Sequence, residues 1–150
     1  MKRAFHFRLA RVARVREVFE EEARAEFTLA LREQHRAEAR YQAARAGLIR
    51  GHEAQADAQC QGQLDVRALL ARERALLGLE EELHQAHAGE LEARRASEDM
   101  RAAWQVRRGE RQALEELAQR HKERHGMDVS RMENAEIDEV ASQRFSHEAS

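Results

Sequence analysis

Hydrophobic residues in the first third of the chain recur at alternating steps of three and four. The series runs Leu9, Val12, Arg16, Phe19, Ala23 and then, after two consecutive four-residue steps, Phe27, Ala30, Gln34, Ala37, Tyr41, Ala44 and Leu48. Ten of these twelve positions are hydrophobic in a chain that is 42% hydrophobic, so the stripe is a coiled-coil seam and not a statistical accident. A stripe of this period is buried by another helix lying alongside. The doubled four-residue step predicts a local unwinding of the supercoil, and Arg16 and Gln34 fix register at some cost in stability.

What can lie alongside is limited by composition. The chain has 150 residues, no proline, 36% charged residues and only 5% aromatics. That is the make-up of long helices, and it fills a thin two-layer helical object better than a thick core. The formal net charge of −2 gives no global reason to expect nucleic acid or an anionic membrane as partner. Its distribution is more informative: Lys2, Arg3, Arg8, Arg11, Arg14 and Arg16 occur with no acid among residues 1–16. Asp128, Glu133, Glu136, Asp138 and Glu139 stand against Arg131 near the other end. The single Cys60 cannot form an internal disulfide, and no apolar run is long enough for a signal-peptide core or a membrane span. A cytoplasmic location is the expectation.

Further along, residues 50–63 contain no Leu, Ile, Val, Met or aromatic residue but do contain Gly51, Gly62 and four glutamines. They predict a connector, or a short loose helix, between a helix over 5–49 and a second over 64–145. From Leu64 the apolar pattern resumes as doublets one heptad apart: Leu69 with Leu70, Leu76 with Leu77, Leu83 with His84, and Leu91 continuing one row. Beyond them the seam reads Met100, Trp104, Arg107, Arg111, Leu114, Ala118, His121. Its arginines need acids. A fold-back between residues 62 and 64 sets Arg107, Arg108 and Arg111 opposite Glu17, Glu20, Glu21 and Glu22, and Arg11 and Arg14 near Glu115 and Glu116. The fold class is therefore all-α: two long helices in one antiparallel coiled-coil hairpin domain over 1–150. Roughly the last 25 residues project beyond the first helix, because both helices rise equally per residue. His125-Gly126 and the capping-box pattern from Ser130 to Glu133 mark 125–130 as the place for a kink.

Chemistry finds little purchase. His84 with His87 and His121 with His125 have the spacing of metal ligands on a helix face, yet neither pair has a cysteine or an isolated acid beside it, and a solvated face is the expectation. Serines and Thr28 lack a base at a meaningful spacing, and no phosphate-cradling glycine loop occurs. The expectation is no enzyme, no metal and no cofactor. The basic N-terminal arm is more simply neutralised by the chain's own glutamates than by nucleic acid.

Three stretches together resemble the FliJ family of flagellar export proteins. They are the opening FHFRLARVARVREVFEEEARAEF, Trp104 followed by a basic run and ERQALEELAQRH, and the closing EIDEVASQRF. The resemblance covers essentially the whole chain. It implies a two-helix coiled coil similar to the central shaft of rotary ATPases, with three partners: the hexameric flagellar export ATPase, the membrane protein of the export gate, and export chaperones that it helps recycle. No nucleic acid and no direct membrane insertion are implied, and the place of action is the cytoplasmic face of the membrane at the export apparatus. Carried over by position, Arg8, Arg11, Ile137, Asp138, Glu139 and Val140 form the ATPase-facing tip. The family's gate row falls on Leu76, Glu80, Leu83 and His87, where Glu80 is polar in place of an apolar residue. The stalk of a virulence-type secretion system, a coiled-coil scaffold or holdase chaperone, and a self-associating filament are the competing readings.

Overall fold

The computed structural model describes residues 4–62 and 65–148, with the side chains of 147 and 148 excepted. Two helices account for nearly all of it: α1 spans Ala10–Cys60 and α2 spans Val66–Glu148. They pack against each other as a helical hairpin, and the described residues contain no strand. The turn includes Gly62 at φ 76°, a left-handed conformation in which a side chain would be strained. Gln63 and Leu64, where the fold-back was expected, lie outside the described residues.

Residues 50–60 are not a connector. They continue α1 without a break. Alanine, glutamine and glutamate are strong helix formers, so the segment stays helical although it has no broad apolar face. Gly126 and the Ser130 capping box do not interrupt α2 either, since one helix runs through both. A glycine costs about 1 kcal/mol in a helix interior, too little to break a helix propagating from both sides.

The inner face of α1 departs from the expected series. Its buried and half-buried residues include Leu9, Ala13, Arg16, Glu20, Ala23, Phe27, Ala30, Gln34, Ala37, Tyr41, Ala44, Leu48, Gly51, Gln55 and Ala58. The steps alternate four and three throughout, so the seam has no stutter and no local unwinding. Val12 and Phe19, expected inside, are 43% and 39% exposed, and their places are taken by Ala13 and Glu20. On α2 the run from Met100 to Ala118 lies inside as expected, whereas His121 is exposed. The upstream doublets resolve in favour of Leu69, Leu76 and Leu83; Leu70 and Leu77 point outward, as does Leu91, with Glu90 buried beside it.

The chain divides into two compact units, Glu21–Gln105 and the remaining residues from both ends. In the unit of Glu21–Gln105, Phe27 and Trp104 stack with ring centroids 5.7 Å apart and planes 11° from parallel. One heptad on, the Ser97 hydroxyl donates to Gln34 Oε1. Tyr41 and His87 rings lie 5.2 Å apart, and a Cβ at Gly51 would sit 2.8 Å from Leu79 Cδ1 and 3.0 Å from Leu76 Cδ2. Small residues on α1 thus face large ones on α2, which lets the helices approach closely. Glu90, buried, is held by Arg94 at 2.8 Å, one turn along the same helix.

In the unit formed by the two chain ends the seam is ionic. Arg111 bridges Glu20 on α1 and Glu115 on α2, and these hydrogen bonds, Glu20 first, hold its guanidinium above its ordinary pKa. Glu110 receives Arg16 at 2.7 Å and Arg107 at 3.3 Å, and the Arg107 guanidinium sits 5.2 Å over the Phe19 ring. The expected partnership of Arg111 with the Glu17–Glu22 acids is present at Glu20. That of Arg11 and Arg14 with Glu115 and Glu116 is not: those acids pair with Arg111 and Arg120 four residues away on their own helix. A neighbour one turn away needs less ordering than one across the seam.

Candidate functional site

Two surfaces collect the residues singled out from the sequence. The first lies in the unit of the chain ends. The Phe5 and His125 rings lie tilted with centroids 5.7 Å apart and Phe7 meets His121 edge-on at 5.9 Å, so the segment that precedes α1 lies along α2 with residue 5 level with 125. Beyond that point α2 continues to Glu148, and its described side chains from Arg131 to Ser146 are all exposed. Ile137 is 65% and Val140 50% exposed; with Glu133 and Glu136 they line a shallow apolar depression along one face of the helix. Asp138 and Glu139 are exposed on the same turn.

Arg8, in the turn before α1, and Arg11, in its first turn, are exposed. The structure does not bring them to Ile137. By the Phe5–His125 register Arg11 is level with about residue 119, and roughly 18 residues of helix separate that level from Ile137, about 27 Å along the axis. The two halves of the expected tip are distinct surfaces, one basic and one acidic-apolar.

The second surface is a groove in the other unit, lined by Tyr41, Leu48, Glu80, Leu83, His84 and His87. It contains three of the four residues carried over for the gate. Leu76 is the fourth and is buried, directed at Gly51 and out of reach of a partner. Tyr41, Leu48 and His84 complete the groove; none of them was carried over for the gate, and His84 was read only as one of a histidine pair on a solvated face. Tyr41 and Leu48 were visible as seam residues; the antiparallel register brings them level with His87 and Leu83.

Among the described residues there is no group of three or more histidine, cysteine, aspartate or glutamate side chains placed to hold a metal ion. His87 lies against the Tyr41 ring of α1, and His121 and His125 lie against Phe7 and Phe5 of the segment before it. No described helix is long and apolar enough to cross a membrane.

The family model described as Flagellar FliJ protein matches residues 5–150. The chain belongs to the FliJ family. Membership makes it a component of the flagellar export apparatus, in a family of non-catalytic parts of that machine. No curated protein and no solved structure is significantly similar to it. The FliJ match spans both surfaces described above, the projecting end of α2 and the Tyr41–His87 groove.

Proposed function

We propose that this FliJ-family chain is a non-enzymatic, central-stalk-like coiled coil that enters and promotes the hexameric export ATPase, links it to the membrane export gate, and assists recycling of export chaperones. The observation that carries the reading is the projecting end of α2. Met127, Met132, Ile137, Val140 and Phe145 remain 50–78% exposed on a helix that has left its partner behind. Apolar side chains exposed in this number on a projecting helix, with Ile137 and Val140 adjoining on one face, mark an interface. Its acids, Glu133, Glu136, Asp138 and Glu139, keep it soluble until a partner covers it. Arg8 and Arg11, just before and just inside the start of α1, offer the same ATPase a second, basic contact.

For the gate, the groove around Leu83 and His87 is the candidate, with Glu80 at its rim and Tyr41 contributed by α1. Leu76 acts there through packing. The work is mechanical and adhesive, at the cytoplasmic face of the membrane and without insertion into it or contact with nucleic acid.

The test is sedimentation of the cognate export ATPase with and without the full chain. The expected result is a shift from monomer to hexameric rings on addition of the wild type. A chain lacking residues 137–150 should leave the ATPase monomeric while keeping its own helicity by circular dichroism. An ATPase profile indifferent to the wild-type chain would sink the proposal.

A further inference from the structure

The N-terminal stretch of α1 is amphipathic in the wrong sense for its own hairpin. It turns Arg16 and Glu20 inward and leaves Val12, Val15, Val18 and Phe19 between 39% and 51% exposed. Arg11 and Arg14 border this valine stripe, both exposed, and neither forms an ion pair with a described residue. The first turn of α1 also contains no acidic residue, so the positive end of its dipole is unneutralised. What would cover this face must be apolar and anionic.

The same unit holds such a surface. Glu133, Glu136, Ile137 and Val140 line one depression on the projecting end of α2. Their spacing is identical to that of Arg11, Arg14, Val15 and Val18. Set side by side in parallel, an alignment that puts Ile137 level with Val15 also puts Val140 level with Val18, Glu133 with Arg11 and Glu136 with Arg14. All eight side chains are exposed. They cannot meet within one molecule, because α2 is unbroken from Val66 to Glu148 and carries the acidic quartet away from the start of α1.

We infer that two copies of this chain pair end to end through this unit, the Glu133–Val140 face of each lying along the Arg11–Val18 face of the other. The pairing is closed and isologous, since a two-fold axis across the helices makes both contacts at once and leaves neither quartet uncovered. When one hairpin is turned about that axis to point its ends at the other, each projecting α2 runs parallel to its partner's α1, as the matched spacings require. The inference stands on these residues and does not rest on the ATPase reading; where both operate, the self-pair and the ATPase compete for Ile137 and Val140.

Sedimentation equilibrium of the full chain, at about 50 mM and about 500 mM salt, tests it. A monomer–dimer equilibrium that weakens with salt is expected. Arg11→Glu with Arg14→Glu should raise the dimer dissociation constant about tenfold or more, since four attractive pairs per dimer become repulsive, and so should Glu133→Arg with Glu136→Arg. An equimolar mixture of the two variants should recover the dimer, because each then offers the other two matched faces. Circular dichroism of the variants should be unchanged, all four positions being exposed. A wild type that stays monomeric at every concentration overturns the inference. So does a dimer that persists in both variants, as pairing through the exposed Leu70 and Leu77 row would give, or a mixture that fails to recover it. Loss of ATPase ring promotion with the dimer intact would count against the proposed function alone.

Discussion

Phe27 is where the register of the hairpin is most directly exposed to experiment. Its ring stacks on the only tryptophan, with centroids 5.7 Å apart and an interplanar angle of 11°, and both residues are half-buried. A register slip of one heptad would set Phe27 opposite Ser97 or Arg111 in place of Trp104. Truncating a fully buried phenylalanine to alanine costs about 3–5 kcal/mol, and half-burial scales this to about 2 kcal/mol. Phe27→Leu keeps most of the apolar area and removes the ring pair, so about 1 kcal/mol of loss is expected. Denaturant unfolding followed by Trp104 fluorescence and by circular dichroism measures both. The fluorescence should change in the native baseline as well, because the indole loses its stacked neighbour. Leu29→Ala is the control: Leu29 is 63% exposed two residues away, and its truncation should move stability by less than about 0.5 kcal/mol. If Phe27→Ala and Leu29→Ala are equally mild, the aromatic layer does not exist and the register built on it is wrong.

Other perturbations follow from the same contacts. Gly51→Ala gains helix propensity but drives its Cβ to 2.8 Å from Leu79 Cδ1, so thermal unfolding should show a smaller gain than at Gly109, where nothing lies within 4 Å and about 1 kcal/mol is expected. Gly51→Val should lose about 1–3 kcal/mol by overpacking. Gly62→Ala at φ 76° should destabilise by about 1–2 kcal/mol, and Gly62→Asn by less; an alanine variant as stable as the wild type would exclude the left-handed turn. Glu20→Ala leaves the half-buried Arg111 guanidinium with Glu115 alone, so its melting temperature should fall below that of the wild type. The difference should narrow as salt is raised, the lost contact being an ion pair.

The sequence reading succeeded where apolar side chains are large and their spacing leaves one solution. Met100, Trp104, Leu114 and Ala118 fix a single face of α2, and the two arginines among them were inferred to sit inside because the period demanded it. Reading failed where two residues competed for one slot. At 12 against 13 and 19 against 20 the larger apolar residue was taken as the inner one, which forced a stutter into the series. The structure puts Ala13 and Glu20 inside instead, because Glu20 satisfies Arg111 and alanine permits close approach. At 90 against 91 the same preference for leucine overlooked that Glu90 has Arg94 one turn away. The extent of α1 was underestimated for a different reason. Burial was used as the criterion for a helix, whereas residues 50–60 stay helical on propensity and on the seam positions Gly51, Gln55 and Ala58. Of the candidate surfaces, the projecting end of α2 was legible from the relative lengths of the helices. The groove was not, since half of it comes from α1 and depends on register.

The misplaced valines bear on function as well as on fold. A seam that closed on Val12 and Phe19 would bury apolar surface at about 25 cal/mol per Å² removed from water. The seam that exists at the chain ends closes on Arg16, Glu20, Arg107, Glu110 and Arg111, charged groups whose side chains are 15–43% exposed. Pairs of that kind contribute little net stability. The unit of the chain ends therefore forgoes hydrophobic stabilisation that its own sequence supplies. Beside the Val12 and Phe19 so released, Val15 and Val18 are exposed as well, and they match in spacing the Ile137 and Val140 that α2 carries beyond its partner. The spacing is that of any helix face, but the opposite charges at the adjoining positions call for a reason. A common interface gives them one, with the ionic seam left to hold the helices in register while their apolar faces remain outside.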